Sequence, residues 1–244
     1  MKILKFGALI LFLWIVFKRP FFDLPGHTVH PASPMPSPQA LARLGVAAEN
    51  AKHGVDVSHF DGDIDFEVMK QSGVHFVYMK ATQGTGFIDP KYSTNAEQAT
   101  ETKLVHGAYH FYQPNEDPIA QAKFFLKTIE PNQHGLPPAL DVEITADTTP
   151  EEIKAGVKQW LAYVEKVTQC QPMLYSNGSY WQTNLGAEFN DYPFWLADYN
   201  ETMSPPPGLN NIHLWQHSDE GSVGGIVGNV DLDVWVASEV RCNA

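Results

Sequence analysis

The chain has 244 residues, 43% of them apolar, with 16 basic against 28 acidic side chains and a net charge of −12. That length and apolar content exclude a disordered or fibrous protein and fit one large domain of the α/β-barrel size class, or two small ones. The acidic balance excludes nucleic acid as a partner, because neutralising phosphates needs clustered Lys and Arg.

The charge is unevenly spread. Residues 1–19 hold Lys2, Lys5, Lys18 and Arg19 and no acid, which leaves 12 basic against 28 acidic residues, or −16, in the remainder. Within that segment, Phe6 to Phe17 is a run without a polar side chain, bounded by basic residues on both sides. Its length suits a signal-peptide core better than a full membrane span, and no small-residue cleavage site follows. The expectation is an exported protein anchored in the membrane by residues 1–19 and facing the periplasm or cell exterior, or a secreted one if the segment is removed. Six prolines then fall between Pro20 and Pro38. Such density predicts an extended, semi-rigid spacer over 20–50, with the folded domain occupying 51–244.

From there, apolar runs of strand length recur at Gly54–Phe60, His75–Thr82, Val105–Tyr112, Pro138–Ile144, Pro172–Asn177, Pro193–Tyr199, Ile212–Ser218 and Val230–Ala237. Helical patterns lie between several of them, at Pro90–Lys103, Glu116–Glu130 and from Thr149 to about Val167. In the last, Thr149 and Glu152 form a capping box around Pro150. Strands alternating with helices predict parallel pairing, and eight strands in so short a span predict an α/β fold: a flattened, irregular (β/α) barrel with some helices short or missing.

In a parallel barrel the chemistry sits where the strands end. Asp141 and Glu143 share one face of the fourth strand, about 7 Å apart along the chain. Two inward carboxylates on an apolar strand are costly unless paired or functional, and they suit glycoside hydrolysis. An ion pair with Lys80 would account for one of them but less easily for both. Asp56 with Ser58 on the first strand, and Asp231 with Asp233 on the last, repeat the pattern. First and last strands are neighbours in a closed barrel, so these acids converge with Asp141 and Glu143. Burial and acidic neighbours are expected to keep Glu143 protonated.

Seven segments then occur in one order: Val55-Asp56-Val57-Ser58-His59, Lys80-Ala81-Thr82-Gln83-Gly84, Gly107-Ala108-Tyr109-His110-Phe111, Leu140-Asp141-Val142-Glu143, Trp195-Leu196-Ala197-Asp198-Tyr199, Leu214-Trp215-Gln216-His217 and Val230-Asp231-Leu232-Asp233. Over about residues 53–238 the chain resembles glycoside hydrolase family 25. The resemblance implies a flattened barrel that cleaves the β-1,4 bond between N-acetylmuramic acid and N-acetylglucosamine in the glycan strands of peptidoglycan, acting as a monomer. It implies Glu143 as general acid and base, Asp141 as its partner, and Asp56 and Asp231 as further acids of the cleft. Four positions depart from the family pattern: Gln83 where Glu is usual, Phe60 and Phe66 where Trp is common, and Asp233 where Asn is frequent. The Phe residues are expected to keep an apolar wall.

Sugar rings pack on aromatic planes. Tyr109, Tyr112, Tyr175, Trp195, Tyr199 and Trp215 lie near strand ends and are the candidate platform, with Gln216 beside them. Tyr109 and Tyr112 point to opposite sides of one strand. No metal or cofactor is expected: the histidine pairs His106/His110 and His213/His217 lie on strands, without an H-E-x-x-H helix, and the glycines at 221–228 lack dinucleotide-binding spacing. Cys170 and Cys242 lack metal or redox spacing, and a bridge between them requires a body outside the cytosol. Two other readings stay open: a non-catalytic glycan-binding barrel, and a hydrolase of another N-acetylated polymer such as chitin.

Overall fold

The computed structural model describes residues 35–129 and 135–242. The apolar run at 6–17 and its basic flanks lie outside the described residues. Among those described, no helix is long and apolar enough to cross a membrane.

Eight strands close a barrel: β1 (His53–Val57), β2 (Phe76–Gln83), β4 (Val105–Phe111), β5 (Ala139–Asp141), β6 (Met173–Asn177), β7 (Phe194–Ala197), β8 (Ile212–Gly221) and β9 (Val230–Trp235), with a two-residue β3 (Phe87–Ile88) hanging on β2. β1 pairs in parallel with β2, and the parallel ladder continues through β4, β5, β6 and β7 to β8. The last strand corrects the all-parallel expectation. β9 runs antiparallel to both β8 and β1, because a loop rather than a crossover helix returns the chain after β8.

The helices are α1 (Pro38–Arg43), α2 (Phe66–Gln71), α3 (Tyr92–Glu101), α4 (Pro118–Ile129) and α5 (Pro150–Thr168). α5 begins as the sequence predicts: Thr149 and Glu152 form the reciprocal capping box, with Pro150 in the first turn. Its stripe of Ile153, Gly156, Val157, Trp160, Leu161 and Val164 is buried at helical spacing. Gly156 is required there, since a Cβ would stand 2.1 Å from the Tyr112 hydroxyl. Between β6 and β7 only short irregular turns over 178–189 replace a helix.

Strand alternation separates two cores. Val55, Val57, Leu140, Val142 and Leu196 face outward into the helix layer. Inside the barrel an aromatic core holds Phe76, Tyr78, Tyr175, Trp195 and Trp235. Gly54 on β1 makes room for it, as a Cβ there would lie 2.3 Å from the Phe76 ring. A third cluster shows that the packed domain reaches back before residue 51, into the segment marked as spacer. Leu41 of α1 is buried against Trp215, Val234 and Val236. Pro38 opens that helix, where a fixed φ and a missing N–H cost nothing. Cys170 and Cys242 form a disulfide with Cα atoms 5.4 Å apart, tying the end of α5 to the chain beyond β9.

Candidate active site

The acids assemble at one end of the barrel. Asp56 and Asp141 come from the C-terminal halves of β1 and β5, and Glu143 lies two residues past the end of β5. Asp231 arrives differently: β9 is antiparallel, so its beginning, not its end, reaches the mouth, and Asp231 stands directly opposite Asp56. Together with Tyr109, Tyr175, Trp195 and Gln216 these four carboxyls line a pocket of about 70 Å³. The pocket meets a groove of about 640 Å³ running over the ends of β6 and β7. Glu143 and Tyr175 line both, so the acids open onto a space large enough for sugar rings.

Gln216 organises the floor. Its Nε2 donates to Asp56 Oδ2 at 2.7 Å, while its Oε1 accepts the hydroxyls of Tyr175 and Tyr199, each at 2.8 Å. Trp195 Nε1 donates to Asp233 Oδ1 at 2.7 Å and its ring meets Tyr175 edge-on, with centroids 4.9 Å apart. A side chain with all these partners is held in a single orientation and holds others in turn.

Crowding of acids in a site of low water content favours their protonated forms. Burial, then the charge of Glu143 and a hydrogen bond to it, raises the Asp141 carboxyl well above the ordinary range. Burial, then Asp233 and Asp231, does the same to Asp56. Asp231 is pushed up to about 7 by burial and by the charges of Asp61, Asp219 and Glu143. The expected burial of Glu143 is corrected: it is exposed to the groove, and its buried neighbour Asp141, at 6% exposure, carries the desolvation. Asp141 Oδ1 meets no N–H or O–H among the described residues.

Lys80 does not pair with either acid among the described residues. Its Nζ donates to Gln83 Oε1 at 2.9 Å and lies over the Phe111 ring. The amide at position 83 accepts from the ammonium without neutralising it, so its field still reaches Asp141 and Glu143.

Of the aromatic candidates, Tyr109, Tyr175 and Trp195 line the pocket and Tyr175 and Tyr199 the groove. Two are corrected. Tyr112, 1% exposed, lies past the end of β4 in the helix-side core beneath Gly156. Trp215 faces outward between two inward neighbours, packs against α1 and donates its Nε1 to the Asp198 carbonyl at 2.6 Å. Of the two Phe residues taken as a wall, Phe66 is buried in the helix layer, whereas Phe60 is 85% exposed beside His59. Sequence reasoning missed the polar groove wall of Asn177, Ser179, Gln182 and Asp198. Only Asn177 carried a signal: it ends β6 and caps the next turn, accepting from Tyr180 N at 2.9 Å. Among the described residues, no three His, Cys, Asp or Glu side chains are grouped to hold a metal ion.

Comparison with known proteins agrees with this geometry. The family model for glycosyl hydrolases family 25 matches residues 55–226. YegX of Escherichia coli K12 is 37% identical over 79% of this chain and 72% of its own length. Lysozyme M1 of Streptomyces globisporus is 30% identical over 81% of this chain and 72% of its own. The crystal structure of a bacterial lysozyme from Streptomyces coelicolor superposes with a TM-score of 0.70 at 29% identity, covering 77% of this chain and 93% of that one. A barrel of this topology with acids at the strand ends, matched along most of its length, belongs to glycosyl hydrolases family 25.

Proposed function

We propose that the protein is a peptidoglycan muramidase that hydrolyses the β-1,4 bond between N-acetylmuramic acid and N-acetylglucosamine. The observation that carries this reading is the convergence of Asp56, Asp141, Glu143 and Asp231 on one pocket that opens into a polar groove. The lysozymes among its relatives support the choice of substrate. Asp141 and Glu143 together hold one proton at rest. Glu143, facing the groove, passes it to the glycosidic oxygen as the bond from that oxygen to the anomeric carbon breaks. Asp141 is then left ionised beside the developing positive charge, where it stabilises the cation or orients the substrate's N-acetyl oxygen toward it. Its burial favours this assisting role over direct attack. Water adds to the anomeric carbon, Glu143 takes its proton, and the pair is restored. Tyr109, Tyr175 and Trp195 form the apolar side of the sugar site, and Gln216 holds Asp56 and the two tyrosine hydroxyls in place.

The compartment follows from the same reading. The substrate lies outside the cytosol, and the disulfide between Cys170 and Cys242 belongs in an oxidising environment. The basic and apolar residues 1–19 serve as the export and membrane-anchoring signal, and the barrel works as a monomer.

Digesting purified peptidoglycan and identifying the new reducing ends by mass analysis tests the assignment. Fragments ending in N-acetylmuramic acid are expected. Ends in N-acetylglucosamine, or co-sedimentation with walls that are never cleared, would overturn it; cleavage of chitin instead would redirect it.

A further inference from the structure

Asp233 is fully buried on β9, deeper in the barrel than Asp231, and takes no part in lining the acid pocket. It sits opposite Gln216 on β8 and diagonally from Asp56 on β1. Its Oδ1 accepts from Trp195, but its Oδ2 meets no N–H or O–H of any described residue. Asp56 is 8% exposed, and its Oδ2 accepts from Gln216. Two anions side by side in such a place are costly, and so is a buried oxygen without a donor. A single hydrogen removes both costs: the carboxyl proton of Asp56, donated to Asp233.

We propose that Asp233 is a positioning residue, which accepts the proton of Asp56 and so fixes the carboxyl that orients Gln216 and, through it, the Tyr175 and Tyr199 hydroxyls of the cleft. The effect on turnover rests on the muramidase reading; the shared proton does not. The surroundings are consistent with one proton and no counter-cation. Asp231 faces the pair from β9, while Tyr78, Tyr109 and Tyr175 reach it from β2, β4 and β6 as phenols raised by burial and by these acids. Trp195 and Gln216 complete the ring from β7 and β8. Glu239 and Arg241 act on Tyr78 from the far end. His53 and His217 sit on the outward faces of β1 and β8, and burial lowers each to about 4, so both are neutral where the pair titrates. Burial and the facing carboxylates raise both acids well above the ordinary carboxylate range.

Asp233→Asn keeps the acceptor for Trp195 and replaces the shared proton with an N–H that does not titrate. Asp56→Asn does the same from the other side. The native protein is expected to show an infrared carbonyl band of a buried protonated carboxyl that titrates well above the ordinary carboxylate range, and each variant is expected to lose that same band. In the native protein the indole N–H resonance of Trp195 should move with the same midpoint as the band, which needs no variant to fold. If the two substitutions remove no carboxyl band in common, or if the indole titration is unlinked to that band, the proposal is overturned. If no glycan is cleaved, the muramidase reading fails, while the two spectroscopic readings still decide the shared proton.

Discussion

Two carboxyl pairs sit within one barrel, and they differ in access rather than in chemistry. Asp141 and Glu143 are neighbours along one chain segment, the first buried and the second exposed to the groove. Asp56 and Asp233 meet across two strands, both buried, held by Gln216 and Trp195, and only Asp56 touches the pocket. Each pair satisfies an otherwise unpartnered oxygen with an acid proton. On the proposed reading, the pair with a member exposed to the groove hands that proton to the substrate, and the buried pair uses its own to hold shape. Proton sharing thus serves catalysis or positioning according to whether one partner reaches solvent.

The sharpest way to break this contrast is to neutralise the open acid. Glu143→Gln is expected to lower kcat by about 10²–10⁴-fold on purified glycan, with stability moved by no more than about 0.5 kcal/mol because the residue is exposed. Near-native turnover would remove Glu143 from its role.

The second expectation concerns pH. Asp231 has a folded value of about 7 against an ordinary 3.8, so the folded state holds its proton more tightly than the unfolded one. Its contribution to stability is complete below the ordinary value and is lost as pH rises through about 7. Urea unfolding should show higher stability at pH 5 than at pH 8, by on the order of a few kcal/mol. Asp231→Asn should reduce the difference, and a slope unchanged in that variant would locate its origin elsewhere.

The smallest effect sharpens the role of Gln216. Tyr199→Phe removes one of the two hydroxyls that its Oε1 accepts, while Asp56 and Tyr175 continue to hold it. About 1 kcal/mol of hydrogen bonding is lost, which should raise KM about fivefold with kcat little changed. An equal fall in kcat would instead place the tyrosine hydroxyl at the reacting atoms.

Much of this was legible from spacing. Period-two alternation placed Asp56, Asp141 and Asp231 on the inner face, and the Thr149–Glu152 box fixed the start of α5 to the residue. What spacing leaves open is where a strand stops. β5 ends at Asp141, so Glu143 escapes the burial that a longer strand would impose, and Tyr112 follows the end of β4 into the helix layer. Parity settles Trp215 as well, since Trp215 and Gln216 are adjacent and only one of them can face inward. The groove wall was harder still. Asn177, Ser179 and Asp198 lie on turns, where no periodicity marks a face, and only the folded chain brings them beside Glu143.

The antiparallel last strand also bears on solubility. A barrel has no free strand edges, and here β9 alone covers the two that would otherwise remain, along β1 and β8. The disulfide to Cys242 fastens the chain just beyond that closing strand to the end of α5, 72 residues earlier. A chain cut before Val230 would therefore lose more than the two acids of β9: it would expose two unpaired rows of backbone N–H and C=O groups, the template on which barrels aggregate.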